Sequence, residues 1–245
     1  MSHKKTRSDE SGKSPFVEGK SSMNFFNTDL IASTIPARSA FDKEASSFHK
    51  KAVMVCGTMK AATPTEEQVS EVISTADAEL EVLTRKFKKN PPSEYKNDPL
   101  WASYFDDFAD NITLVKTLAD QKNYKIATKY CSAFCQIFER MHRNNGTVDL
   151  TDMLFALNVQ MKLTTDMANA GNITLAKENG VMIKKMLEQT TEKVKHTENF
   201  EAQFAPINKT ATEWIKAIES DDAKTANSLY TNFSMDFPKT FIASM

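Results

Sequence analysis

From residue 63 to the end of the chain, apolar residues recur every three or four positions; before residue 63 no such rhythm is sustained. A helix that packs on a core must carry an apolar stripe with a period near 3.6, so the change of rhythm divides the chain into an irregular segment and a helical one. In "TPTEEQ", Thr63 is the expected N-cap, with Pro64 at the first helical position and Glu66 closing a capping box. Val69, Val72, Ile73, Ala76, Leu80, Leu83 and Phe87 then form one stripe, which Pro91 and Pro92 terminate.

Six more helices follow by the same logic. Asp98-Pro99 opens the second, with Trp101, Tyr104, Phe105, Phe108, Ile112, Val115 and Ala119 on its buried side. The third runs from about Tyr124 to His142 and stops at Gly146, a left-handed position. Asp149 with Asp152 caps the fourth, which Gly171 ends, and the fifth continues to about Val194. A sixth, about 204 to 218, has Trp214 as its anchor, and a seventh starts after Asp221-Asp222 and bends near Pro238. Short connections make neighbouring helices antiparallel, so the expected fold is all-α: an antiparallel bundle of about seven helices in one domain, residues 63–245.

Residues 1–62 hold ten serines, three of the six glycines and short apolar islands such as Phe16-Val17, Phe25-Phe26 and Val53-Met54-Val55. They are expected to form an extended or disordered arm, its islands either docking points or solvated. Two internal similarities bear on duplication. "NITLVK" at 111 returns as "NITLAK" at 172, and the last two helices overlay the second and third at a constant offset of 99 residues. Helical hairpins share that rhythm without common descent, so neither similarity by itself establishes a repeat.

Charge sharpens the division. The arm carries ten Lys/Arg against six Asp/Glu and the remainder 21 against 26, so a basic arm precedes an acidic body. No apolar run is long enough for a signal peptide or a membrane span, and three cysteines, an odd number, suit a reducing compartment better than a disulfide framework. The expected location is cytoplasmic.

Candidate chemistry is sparse. "KYCSAFCQIFERMH", residues 129–142, is the one place where two cysteines and a histidine come close in sequence. Cys131 and Cys135 are four apart, not the Cys-x-x-Cys of redox, zinc or haem motifs, and share a helical face with Phe134, Phe138 and Met141. They are expected as buried thiols, with His142 exposed at the helix end, about 10 Å along the axis from Cys135. "NNGTVDLTD", residues 144–152, resembles the second half of an EF-hand loop, but the first and third ligand places fall on Met141 and Arg143, which excludes calcium. No catalytic site, cofactor or metal is assigned.

The positive feature is "TRKFKK", which sets Arg85, Lys86, Lys88 and Lys89 at the end of the first helix; Arg140 and Arg143 close the third, and Lys4, Lys5 and Arg7 lie in the arm. Converging in space, these would contact phosphate. The expectation is a nonenzymatic structural or assembly protein, nucleocapsid- or coat-like by architecture only, that contacts itself or another protein through the arm; RNA is the candidate nucleic-acid partner, with DNA or neither left open. A protein-binding adaptor without nucleic-acid binding is the alternative, and a helical-bundle cofactor carrier or enzyme the second.

Overall fold

The computed structural model describes residues 39–245. Its described residues form nine α-helices and a single 3₁₀ turn, with no strand. The helices are α1 (Ala40–Lys60), α2 (Glu66–Phe87), α3 (Trp101–Asp120), α4 (Tyr124–Tyr130), α5 (Ser132–Asn145), α6 (Leu150–Asn169), α7 (Ile173–Lys195), α8 (Glu201–Glu219) and α9 (Ala223–Ser244). The 3₁₀ turn spans Ser93–Tyr95.

Three boundaries differ from expectation. The largest difference is α1, which lies inside the segment read as an arm. Its Phe41, Ala45, Phe48, Ala52, Val55 and Met59 are buried, and Ser39 with Asp42 forms a reciprocal capping box at its start. The helical body therefore begins near residue 39, and the remainder of the arm, with Lys4, Lys5 and Arg7, falls outside the described residues. At α2 the cap is Thr65 with Gln68, not Thr63 with Glu66, which leaves Pro64 just outside the helix. The expected helix 124–142 is broken at Cys131 into α4 and α5. Asp149 with Asp152 caps α6, and Gly146 and Gly171 stop α5 and α6 at φ 67° and 81°, where any side chain would be strained.

The all-helical bundle divides into two rings of helices. Each helix of α1, α2, α3 and α4/α5 packs on the next, and α1 closes the ring against α4 and α5; α6, α7, α8 and α9 repeat the arrangement. Each ring encloses its own core. Trp101, Tyr104, Phe48, Phe108 and Phe134 fill the first, and Leu154, Met161, Ile183, Trp214 and Phe233 the second.

The offset of 99 has structural content. α3 and α8 end at Asp120 and Glu219, and α9 spans the residues equivalent to α4 plus α5. The connecting turns match: Lys122 (φ 58°) and Asp221 (φ 62°) are both left-handed, and Asn123 and Asp222 donate to Leu118 O and Ala217 O at 2.9 Å. Ala127, Phe134 and Phe138 are buried, as are Ala226, Phe233 and Phe237. The hexamer similarity has no such counterpart, because Asn111 lies buried within α3 whereas Asn172 is the N-cap of α7.

Candidate functional site

The two bundles meet where α5 hands over to α6. Gly146 ends α5, Thr147 N returns a hydrogen bond to His142 O at 2.9 Å, and Asp149 starts the next helix. This short connection brings the last turn of α5 against the first turns of α1 and α6. The local sequence explains the traffic of charge: carboxylates cap the positive ends of α1 and α6, and a cation meets the negative end of α5.

His142 occupies the centre and is only 8% exposed, not the exposed helix-end residue expected from the sequence. The reason is tertiary: α1 and α6 cover it. Its Nδ1 lies 2.8 Å from Asp152 Oδ2 and its Nε2 3.7 Å from Asp42 Oδ1, so both ring nitrogens face carboxylates. Tyr95, on the 3₁₀ turn, donates its hydroxyl to Asp42 Oδ1 at 2.7 Å and lies 3.1 Å from Thr147 Oγ1. Its ring stacks on Trp101 at 4.9 Å, which fixes the hydroxyl over the cluster.

The electrostatics follow. Burial would raise the Asp42 carboxyl, but hydrogen bonds from His142, Tyr95 and Ser39 outweigh it and bring it down to about 2. Burial opposes charge on His142 as well; the Asp152 carboxylate overcomes it and holds the imidazole protonated well above its ordinary range. The Tyr95 hydroxyl is pushed up by burial and by Asp42. One turn back on α5, burial lifts Glu139 to about 7 against the pull of Arg143, whose Nη2 is 3.2 Å away. Because folded Glu139 holds its proton longer than the unfolded residue, ionising it weakens the fold as pH rises from about 4.5 to about 7. Glu139→Gln should therefore raise the melting temperature at pH 8 and leave it nearly unchanged at pH 4, which a thermal melt at the two pH values checks.

Three ligand-type side chains, His142, Asp149 and Asp152, place donor atoms within 4.8 Å of one another. Their types would suit a divalent metal, but their hydrogen bonds are otherwise employed. Asp149 and Asp152 accept each other's backbone N–H across the α6 cap, and His142 Nδ1 contacts Asp152 as a protonated ring would. The arrangement is a charge clamp that joins three helix ends. The EF-hand-like stretch 144–152 thus spends its aspartates on capping.

Outside the clamp opens a cleft of about 870 Å³, lined by Ser39, Glu94, Asp149, Lys193, His196 and Met245 among others. Inside it, a cavity of about 20 Å³, enough for one water molecule, is bounded by Asp42, Ser46, His49, His142, Thr151 and Asp152. His49 of α1 stacks on Phe138 at 4.4 Å, and its Nε2 lies 3.2 Å from Cys135 Sγ. Ser46 Oγ donates to Met245 O at 2.5 Å and Thr151 Oγ1 to Ser244 O at 3.0 Å, so the end of α9 is fastened to both α1 and α6.

The cysteines behave differently from the expected pair of thiols. Cys131 is bonded to Cys56, from α1, with a Cα–Cα distance of 5.7 Å, in the usual disulfide range. Cys135 is the free thiol; it is buried, and burial pushes it up to about 12. The shared face of Cys131 and Cys135 with Phe134, Phe138 and Met141 is buried as expected.

Among the described residues, four of the six basic side chains singled out in the sequence are engaged in ion pairs. Lys86 pairs with Glu44, Lys88 with Asp106, Arg140 with Asp107 and Arg143 with Glu139, a belt of ion pairs that ties α1 to α2, α2 to α3 and α3 to α5. Arg85 and Lys89 are exposed. The sequence pattern singles out neither Asp42, Tyr95 nor His49; the Ser39-x-x-Asp42 capping box is the one local signal that points to any of them.

No protein family, curated protein or solved structure matches this chain. Among the described residues no helix is long and apolar enough to cross a membrane.

Proposed function

We propose that this is a nonenzymatic, cytoplasmic structural protein that acts through assembly with itself or with another protein, the segment before Ser39 supplying part of the contact. The observation that carries this reading is the employment of its reactive side chains within the fold. Cys56 and Cys131 bond to each other, Cys135 is buried, and His142 is clamped between Asp42 and Asp152. Val181 and Met235, 68% and 67% exposed, are apolar positions that a protein neighbour would cover.

RNA contact is the secondary element. Exposed ion pairs are individually weak, about 0–1 kcal/mol, so phosphate competes for Lys86, Lys88 and Arg140 only at a modest cost, while Arg85 and Lys89 are exposed and outside the ion-pair belt. Lys4, Lys5 and Arg7 would add to them. A second reading, a protein-binding adaptor, is favoured by the cleft of about 870 Å³, whose rim includes Ser39.

Light scattering with and without RNA at low salt, together with the absorbance ratio of the purified protein at 260 and 280 nm, tests both. The assembly reading expects an oligomer whose order falls when residues 1–38 are removed. A nucleic-acid-free monomer that ignores RNA sinks it and leaves the adaptor. If an oligomer binds RNA, Arg85→Glu with Lys89→Glu should weaken that binding and flatten its salt dependence.

A further inference from the structure

We propose that the Cys56–Cys131 disulfide is a reversible redox latch that sets the break between α4 and α5 and takes two electrons from dithiol reductants. The break has no counterpart in the second bundle. At the offset of 99, Cys131 corresponds to Tyr230, and α9 runs unbroken through that position from Ala223 to Ser244. The same helix is interrupted only in the bundle where α1 is covalently attached to it.

The hydrogen bonds at the break show what is displaced. Phe134 N donates to Cys131 O at 3.3 Å, a contact three residues back instead of four. The Tyr130 carbonyl, which Phe134 N would use in a continuous helix, accepts from the Asn111 side chain at 3.4 Å. Position 111 corresponds to Thr210, whose hydroxyl donates to a carbonyl of its own helix, Pro206 O. Freed from Cys56, the segment 124–145 can return Phe134 N to Tyr130 O and continue as α9 does.

Access favours the chemistry at Cys56. It sits half-buried in the last turns of α1, beside the exposed Gly57, where even an added Cβ would meet nothing within 4 Å. Cys131, 5% exposed, is shielded. The attacking thiolate of the reductant therefore bonds to Cys56 Sγ, the Cys56–Cys131 bond breaks, and Cys131 leaves as a thiolate that takes up a proton. The second thiol of the reductant attacks the mixed disulfide, releases Cys56 as a thiol and leaves the reductant as its own disulfide. Two electrons and two protons pass from the dithiol to the protein.

The consequence reaches the bundle junction, because α5 carries Cys135, Phe138 and His142. These are the residues that meet His49 and Asp152. The redox state at one end of α1 thus sets the seating of the clamp at the other.

Thiol titration of the denatured, untreated protein should find one free thiol, and after dithiothreitol three. Residue-resolved amide exchange by NMR should then show the Phe134 amide exchanging about tenfold more slowly in the reduced protein than in the oxidised one, as a helix-interior amide does. Cys56→Ala should reproduce the reduced pattern with or without dithiothreitol; Cys56→Val fills the half-buried site more fully and serves if the smaller residue impairs folding. Three free thiols before reduction overturn the proposal. So does an unchanged exchange rate at Phe134 in the reduced protein and the variants, which would assign the break to Asn111. Global loss of protection on reduction also overturns it, since a latch must leave both states folded.

Discussion

Cys56→Ala should lower the free energy of unfolding by roughly 4 kcal/mol. The bond joins residues 75 apart, and closing a loop of that length removes conformational freedom from the unfolded chain worth about 3–5 kcal/mol in the chain-entropy description. Small domains have about 5–15 kcal/mol in all, so a loss of that size is a large share of the total. Denaturant unfolding of the oxidised protein, the reduced protein and the variant checks it. Reduced wild type and Cys56→Ala should share one midpoint. A variant as stable as the oxidised protein would show that the cross-link constrains nothing the fold does not already fix. Native α1 is also held by Phe41, Phe48 and Val55 in the core, so the weakened protein is expected to remain folded.

The second large effect is at the clamp. His142→Leu should cost about 3–5 kcal/mol, because it strands the buried Asp152 carboxylate, and the half-buried Asp42 beside it, without their cation. The double variant His142→Leu with Asp152→Asn should recover part of that loss, since only Asp42, which keeps its hydrogen bonds from Tyr95 and Ser39, then lacks the cation; double-mutant analysis by denaturant unfolding measures the coupling. The clamp also predicts an acid limb. Asp42 titrates near 2 when folded and near 3.8 when unfolded, so its contribution is complete above about 4 and lost as pH falls toward 2. His142 has the opposite sense: its contribution is complete below its ordinary value near 6.5 and disappears only as pH rises through its elevated one. Asp42→Asn should flatten the acid limb and move the alkaline one to lower pH, because Asp42 also helps to hold the His142 proton.

Much of the fold is legible in the sequence because its rules are local. The stripes of α2, α3 and α6–α9, the Asp149–Asp152 cap and the left-handed stop at Gly146 all depend on residues within one turn of each other. α1 obeys the same rules: Phe41, Ala45, Phe48, Ala52, Val55 and Met59 keep a helical period, and Ser39 with Asp42 caps it. The charged pairs among them and the irregular serine-rich stretch before them mask that rhythm. "TPTEEQ" contains two overlapping capping boxes, and local pattern does not rank Thr65 against Thr63.

The candidate site is far less legible, because it is made by distant partners. Cys56 finds Cys131 across 75 residues, and His142 is enclosed by the ends of two helices remote from its own. The break at Cys131 leaves no mark in the sequence around it, where propensity and period both favour one helix from Tyr124 onward. The partners of the charged side chains are equally distant in sequence: Lys86, Lys88 and Arg140 pair with Glu44, Asp106 and Asp107, on other helices, which no local pattern announces.

Each core contains one of the chain's two tryptophans. Trp101, in the first, donates to Phe87 O at 2.9 Å, and Trp214, in the second, donates to Thr165 Oγ1 at 3.0 Å. The protein therefore carries a separate fluorescent reporter for each half, and single Trp→Phe variants would read the melting of one bundle without the other. Two superimposable transitions would mean that the clamp and the seam around His49 couple the halves into one cooperative unit; two displaced ones would mean that one ring opens while the other stays closed.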